Sequence, residues 1–218
     1  MFDLAKYILA KALKIVLNPP ALKRCDIDKT SKVCVKSELN NVCIGRYSYI
    51  GNQCLMVNVN VGNFCSIADN CYIGSENHPI TRVSTSPVFH EGKNVLKKNF
   101  AYFEKFEAKT TVIENDVWIG RGTFVKSGIT IGNGSIVGMG SVVTKDIPPY
   151  EIWAGNPARK IRDRFDNDKK KTLEKIKWWD WSDEMISSNS NLFDKPDDFI
   201  SVICGEGYNE NFNDNFCI

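Results

Sequence analysis

The sequence predicts a mainly β fold, a parallel β-helix wound from six-residue repeats, and three observations carry that prediction. Ile113, Ile119, Val125, Ile131, Val137 and Val143 recur at every sixth position through IENDVW-IGRGTF-VKSGIT-IGNGSI-VGMGSV-VTKDIP. Four residues after each stands another small or branched side chain: Val117, Thr123, Ile129, Ser135, Ser141 and Ile147. Glycine follows the lead aliphatic at Gly120, Gly132 and Gly138. A period of six matches neither the 3.6 of a helix nor the 2 of an ordinary strand, so it marks an internal repeat. Each hexad then supplies one short strand and one tight corner, with the lead aliphatic inward and glycine relieving the backbone where a side chain would be strained. Three hexads close one triangular coil. Stacked coils pair their strands in parallel, and each needs its neighbours to bury its apolar side.

The remaining elements follow in chain order. Residues 1–17, MFDLAKYILAKALKIVL, read as an amphipathic helix and not as a signal peptide. Asp3 sits early, Lys6, Lys11 and Lys14 interrupt the apolar run, and no small-residue cleavage site follows. Its apolar face is expected to pack on the protein itself, with peripheral membrane contact through residues 1–17 as the second reading. Asn18-Pro19-Pro20 ends the helix. Val33 and Val35 alternate with polar residues and suggest a strand, so residues 1–38 form a helix and a lead-in. From Leu39 the hexad rhythm begins, with Ile44, Ile50, Val61, Ile67 and Ile73 as leads. Ile50 and Val61 are eleven residues apart instead of twelve, which places a shortened corner near Leu55 to Asn60. The rhythm stops at Gly74 and resumes at Ile113. Residues 75–112 are therefore a loop excursion thrown out of a β-helix domain spanning 39–150, an arrangement in which a rigid scaffold presents a functional segment. Pro148 and Pro149, which cannot donate to a further ladder, close that domain.

A C-terminal segment, 151–192, carries a helical pattern from about Asp168 to Asn189 through Leu173, Ile176, Trp179 and Met185. Phe165, Trp178 and Trp181 add aromatic bulk to it. The expectation is that this helix closes the open end of the coil, with sugar stacking by the tryptophans as the second reading. Residues 193–218 form an acidic, polar tail containing Asp197, Asp198, Glu206, Glu210 and Asp214.

Composition narrows the function. With 218 residues and a net charge of +2, the chain lacks the basic surplus of a nucleic-acid binder. No run of eighteen apolar residues occurs, so no membrane-spanning helix is expected. The eight cysteines contain no CxxC pair and no zinc-ligand spacing. Cys54, Cys65 and Cys71 fall four residues after a lead aliphatic, where they serve as small core residues. Reduced thiols and a cytoplasmic protein are expected. His78, where the coil is interrupted, and His90, inside the loop, are the only histidines. A histidine is the natural general base near neutral pH. His78 is the candidate, and His90 reads as a solvated loop residue. Two histidines twelve residues apart do not make a metal site, and none is expected. Neither a GxSxG elbow nor a phosphate-binding GxxxxGK[ST] loop is present. Lys126, Lys145, Arg159, Lys160, Arg162 and Arg164 cluster around the end of the coil, either as a solvated face or as the charge-assisted donors that a phosphate-bearing cofactor would use.

The segments IGRYSYIG (44–51), VGNFCSIADNCYIG (61–74), NH followed by VSTSP (77–87), NDVWIGRGTFVKSGITIG (115–132) and GSVVTKDIPPYEIWAGNPARKIRDRF (140–165) resemble the hexapeptide-repeat acyltransferases. The nearest branch is the xenobiotic acetyltransferases and related polysaccharide O-acetyltransferases. The resemblance covers roughly residues 40–185. It implies a left-handed coil, a homotrimer with active sites between neighbouring coils, and acetyl-CoA as donor. It assigns the general base to His78. It assigns coenzyme A contacts to Arg121, Met139, Thr144, Lys145, Arg159 and Arg162, of which Lys145, Arg159 and Arg162 have the charge for its phosphates. The run PITRVSTSPVFHEG after His78 and the N-terminal helix depart from the antibiotic-modifying members. The acceptor is therefore expected to be a hydroxyl of a sugar or surface polysaccharide. Antibiotic O-acetylation of the chloramphenicol or streptogramin type, sugar N-acetylation and a non-catalytic β-helix scaffold are the alternatives. Phe89, Phe100, Tyr102, Phe103 and Phe106 in the loop are expected mainly to pack, and otherwise to stack on a sugar ring.

Overall fold

The computed structural model describes residues 8, 9, 12, 13, 16–75, 77–104 and 109–205. The chain divides into two compact units, one ending at Arg164 and one beginning at Phe165.

The first unit is the left-handed parallel β-helix. Its strands are β1 (Ala21–Ile27), β2 (Lys32–Val33), β3 (Glu38–Ile44), β4 (Tyr49–Ile50), β5 (Leu55–Val61), β6 (Ser66–Ile67), β7 (Tyr72–Ile73), β8 (Thr111–Ile113), β9 (Trp118–Ile119), β10 (Phe124–Val125), β11 (Thr130–Ile131), β12 (Ile136–Val137), β13 (Val142–Val143), β14 (Glu151–Gly155) and β15 (Ala158–Asp163). Three inward columns run along the prism. The first face stacks Leu22, Leu39, Met56, Ile73, Val125 and Val143. The second stacks Ile27, Ile44, Val61, Ile113, Ile131 and Ile147. The third stacks Val33, Ile50, Ile67, Ile119, Val137 and Trp153. Every lead aliphatic of the hexads is buried in one of these columns. Lateral stacking of like residues thus supplies the hydrophobic stabilisation that no isolated coil possesses.

The positions four after each lead line the corners from inside. Thr123, Ser135 and Ser141 are fully buried, as are Cys54, Cys65 and Cys71 at 1% exposure or less. Their polar atoms bond between coils. Ser37 Oγ donates to Gly51 O at 2.8 Å and accepts from Cys54 N–H at 3.1 Å, and Ser48 Oγ repeats the pattern with Gly62 O and Cys65 N–H. An asparagine ladder serves another corner. Asn63 Oδ1 accepts from Arg46 N–H, Asn115 Oδ1 from Asn63 N–H, and Asn133 Oδ1 from Asn115 N–H, all at 2.8–2.9 Å. Each rung satisfies a partly buried corner amide that the strands leave over.

The coil begins earlier than the hexad rhythm suggests. β1 pairs with β3 over its whole length, so residues 21–38 are a first coil and not a lead-in. The shortened corner at Leu55 to Asn60 is present and recurs. Leu39 to Ile44 and Met56 to Val61 are each five residues apart, with Asn41 and Asn58 in the left-handed region at φ 57° and 54°. Coils here repeat every seventeen residues, as in the Arg46–Asn63 bond, against eighteen in the later Asn115–Asn133 bond. Met56 is the lead that this irregularity hides, because it is unbranched and the five-residue step that follows it breaks the visible period.

At the N-terminus the described residues Ile8, Leu9, Leu13, Val16 and Leu17 are exposed, so those side chains do not pack on the chain itself. The rest of residues 1–17 lies outside the described residues.

In the second unit the helical pattern is broken in two. Helix Asn167–Ile176, capped by Asp166 Oδ1 on Lys169 N–H at 2.9 Å, stops at Lys177, whose φ is 46°. A 3₁₀ turn, Trp178–Asp180, leads to helix Asp183–Asn189, capped by Ser182. The acidic tail holds a further helix, Pro196–Gly205, for which the sequence reading names no element. Its Phe199 is buried against Trp181 and Phe193, with ring centroids at 5.7 and 5.1 Å. The acidic residues Asp197 and Asp198 in its first turn suit a helix N-terminus. Trp179 and Trp181 are buried, which leaves neither ring open for sugar stacking. Residues 206–218 lie outside the described residues.

Candidate active site

The excursion leaves the coil after Ile73 on the first face and returns at β8 on the second, so it occupies one edge of the prism. Gly74 makes the departure possible. Its φ is +68°, and a Cβ there would strike the carbonyl oxygen of Val57. The excursion has its own order. A 3₁₀ turn at Pro87–Phe89 is capped by Ser86, His90 bridges to Phe103, and Phe100 N–H donates to Val88 O at 2.7 Å. Val88 is buried beneath it.

His78 stands just past the outgoing root, with its side chain exposed. Its Nδ1 lies 2.8 Å from the carbonyl oxygen of Thr85. A carbonyl oxygen only accepts, so Nδ1 carries the proton and the ring is held in the tautomer whose Nε2 lone pair is free. Its neighbour Asn77 accepts through Oδ1 from the hydroxyl of Ser127 at 2.8 Å. At the returning root Thr111, fully buried, accepts through Oγ1 from Gly128 N–H at 3.0 Å. Both roots therefore rest on one corner, Ser127-Gly128, of the following coil. Sequence reasoning missed Asn77, Thr85 and Ser127 as functional positions. Asn77 had its place beside His78 as a signal, whereas Thr85 and Ser127 acquire a role only through contacts at separations that no local pattern reports.

His90 is not a solvated loop residue. It is only 8% exposed, and its Nε2 has no hydrogen-bond partner among the described residues. Its burial follows from the excursion folding on itself through Phe103 and Asn99, whose Nδ2 donates to His90 O at 2.6 Å. An exposed imidazole with a fixed tautomer is suited to remove a proton from an incoming group, so His78 retains the candidacy.

The remaining candidates fall into three places. Thr144 and Lys145 are exposed on the same edge as the excursion, in the corner that follows Val143. Arg121 and Met139 lie on another edge, between the third and first faces, in successive corners. Gly140 N–H donates to Arg121 O at 2.8 Å, and a Cβ on Gly120 would meet Met139 N at 2.5 Å. The amide of Asn70, with its oxygen toward the guanidinium, accepts from Arg121 Nε and Nη2 at 3.2 Å. Arg159 and Arg162 are exposed on β15, the antiparallel partner of β14. Arg159 pairs with Ala154, which packs on Gly138, so the start of β15 adjoins the edge of Arg121 and Met139, while Thr144 and Lys145 stand on a different edge.

The basic cluster also divides. Lys160 bonds Glu151 at 2.7 Å and Asp163 at 2.9 Å, and those carboxylates raise its pKa. Arg164 pairs with Asp116 at 3.2 Å and bonds Gly134 O. Both are structural. Arg159 and Arg162 touch only carbonyl oxygens of Ala158 and Asp163, and Lys126 and Lys145 form no ion pair among the described residues. These four remain available for a phosphate. No cluster of three or more potential metal ligands occurs among the described residues.

Residues 110–145 match a family model described as bacterial transferase hexapeptide (six repeats). A chloramphenicol acetyltransferase of Klebsiella aerogenes is 35% identical over 169 residues, which is 68% of this chain and 80% of that one. A probable macrolide acetyltransferase of Lysinibacillus sphaericus is 36% identical over 151 residues, covering 67% of this chain and 79% of that one. A galactoside O-acetyltransferase of Escherichia coli is 38% identical over 133 residues, covering 60% of this chain and 62% of that one. The three differ in the acceptor that their names state and agree on the group transferred.

Proposed function

Since the chain belongs to the hexapeptide-repeat acetyltransferases, we propose that it moves an acetyl group from acetyl-CoA to a hydroxyl of a sugar or surface polysaccharide, with His78 as general base. The observation that carries this reading is the His78 ring, exposed at the foot of the excursion with Nδ1 bound to Thr85 O.

In the proposed reaction Nε2 takes the proton of the acceptor hydroxyl as its oxygen attacks the thioester carbonyl. A new C–O bond forms, the tetrahedral oxyanion is held by a backbone N–H, and the C–S bond then breaks. The leaving thiolate of coenzyme A recovers the proton from the imidazolium, so protons and charge balance over one turnover. Lys145, Arg159 and Arg162 bind coenzyme A phosphates, and Arg121, Met139 and Thr144 contact the rest of it. Thr144 and Lys145 occupy a different edge of the prism from Arg121, Met139 and the adjoining β14–β15 hairpin, and a homotrimer with sites between neighbouring copies would unite them. Phe100, Tyr102 and Phe103, each at least 55% exposed on the same excursion as the base, offer aromatic surface for a sugar ring. The free thiols of Cys54, Cys65 and Cys71 support a reducing, cytoplasmic setting. Among the described residues no helix is long and apolar enough to cross a membrane.

The chloramphenicol acetyltransferase relative, of which this chain covers 80%, favours a second reading, with an antibiotic hydroxyl as acceptor. The experiment is thiol release from acetyl-CoA with nucleotide sugars, oligosaccharides and chloramphenicol as acceptors, run beside His78→Ala. Release that requires a saccharide and vanishes in the variant supports the first reading. Release with chloramphenicol alone replaces it with the second. Full turnover in His78→Ala removes His78 as the base.

A further inference from the structure

We infer that Ser127 is a positioning residue for His78, acting through Asn77 from the corner that clamps both roots of the excursion. The inference rests on the acetyl-transfer reading above and adds a residue to it.

The excursion runs from Gly74 to Thr111, and a segment that long must have its two roots held if a base at its foot is to keep one position. The corner Ser127-Gly128 holds both. Ser127 Oγ donates to Asn77 Oδ1 at 2.8 Å on the outgoing side, and Gly128 N–H donates to Thr111 Oγ1 at 3.0 Å on the returning side. Ser127 is 6% exposed and Thr111 is fully buried, so water competes weakly for either bond. The corner is itself rigid. Gly128 has φ +76°, and a Cβ there would meet Lys109 Cβ at 2.7 Å, so the returning chain packs directly on this glycine. Val125 and Ile131 on either side are seated in the first and second columns. Asn77 is covalently adjacent to His78, and His78 is secured at its other side by Thr85 O. Two anchors thus define the ring: Thr85 sets its tautomer, and Ser127 sets the backbone from which it projects. The hydroxyl at position 127 stabilises no strand of the coil. Among the described residues its one hydrogen-bond partner is Asn77, the residue before the base.

The test compares Ser127→Ala with Ser127→Thr, which keeps the hydroxyl. Two readouts are used: steady-state acetyl transfer and hydrogen exchange of peptides covering residues 74–85. Ser127→Ala is expected to lower kcat about tenfold to a hundredfold, at unchanged KM for acetyl-CoA, because a small displacement of a catalytic group costs on that order. Exchange at 77–80 is expected to speed up while the peptides of β10 and β11 stay protected. Ser127→Thr is expected to restore both readouts. A Ser127→Ala enzyme with wild-type kcat overturns the positioning role, whatever exchange shows. Unchanged exchange at 77–80 overturns the clamp. Equal losses in Ser127→Thr and Ser127→Ala would make the effect one of packing and also overturn it. Failure of the functional reading appears separately, as full turnover in His78→Ala. That outcome removes the base and so overturns the positioning role with it, while the exchange data still report on the clamp.

Discussion

At the residue scale, chemistry is concentrated where the period fails. His78 owes its free Nε2 to one carbonyl, that of Thr85. Replacing His78 with alanine should lower kcat by about 10²- to 10⁴-fold, the usual worth of a general base, while acetyl-CoA binding by calorimetry stays unchanged. The cysteines show the opposite case, residues chosen for size. Burial pushes the Cys65 thiol up from its ordinary 9 to about 12. The thiolate is the reactive form, so Cys65 should resist alkylation at pH 8.5 under native conditions, whereas the exposed Cys43 and Cys204 should react. Mass spectrometry of iodoacetamide-treated protein reads all three. The same shift has a stability consequence. The folded state holds the Cys65 proton more tightly than the unfolded chain, so its contribution is complete below pH 9 and is lost as pH rises from 9 toward 12. The urea midpoint should fall across that window, and fall less in Cys65→Ala.

At the element scale, the excursion and the coil are separable. The ladders β7–β10 and β8–β11 are in register on both sides of the interruption, so the coil does not depend on what is inserted there. Replacing residues 77–108 with a short glycine-containing turn should leave the β-type circular dichroism intact and abolish acetyl transfer. Retained transfer would place the base elsewhere. Gly74 is the opposite case, an element boundary that tolerates no side chain. Gly74→Ala forces an L residue to φ +68° and presses its Cβ on Val57 O. The variant should lose about 1–3 kcal/mol, measured by urea unfolding. Gly122, also at positive φ but with open space around its Cβ position, should lose less when changed to alanine, and the pair isolates the contact from the backbone cost.

At the scale of the whole molecule, the division of the basic residues matters more than their number. Lys160 and Arg164 are held by Glu151, Asp163 and Asp116, whereas Arg159 and Arg162 face outward on β15. If coenzyme A phosphates bind there, Arg159→Ala and Arg162→Ala should each raise KM for acetyl-CoA about tenfold with kcat little changed. Each removes one charge-assisted hydrogen bond, worth about 1.5–3 kcal/mol. Lys160→Ala should instead act on stability. The proposed trimer is read by sedimentation equilibrium. A monomer that transfers acetyl groups at full rate would sink the requirement for neighbouring copies.

How much was legible in the sequence follows from how far each determinant reaches along the chain. The hexads from Ile113 to Val143 determined the coil, its three inward columns and the interruption after Gly74, because a residue's place on a solenoid depends only on its count from the last corner. The buried small residues were legible for the same reason, down to Cys54, Cys65 and Cys71. The first coil, from Ala21, was not. Its leads Leu22, Ile27 and Val33 include the same five-residue step, from Leu22 to Ile27, so a plain period of six does not reveal them. Nor was the five-residue corner after Met56, where Asn58 takes a left-handed backbone. The helix Pro196–Gly205 escaped notice because its apolar face is short and its acidic start resembles a solvated tail. At the candidate site the sequence marked His78 by its position and composition by its scarcity of histidine. The tertiary structure alone decided that Thr85 sets the tautomer, that Ser127 reaches Asn77 across fifty residues, and that His90 is buried. Those facts belong to contacts between a loop and a coil, and such contacts depend on where the chain returns in space. A repeat specifies that return for its own strands, and it is silent about everything thrown outside them.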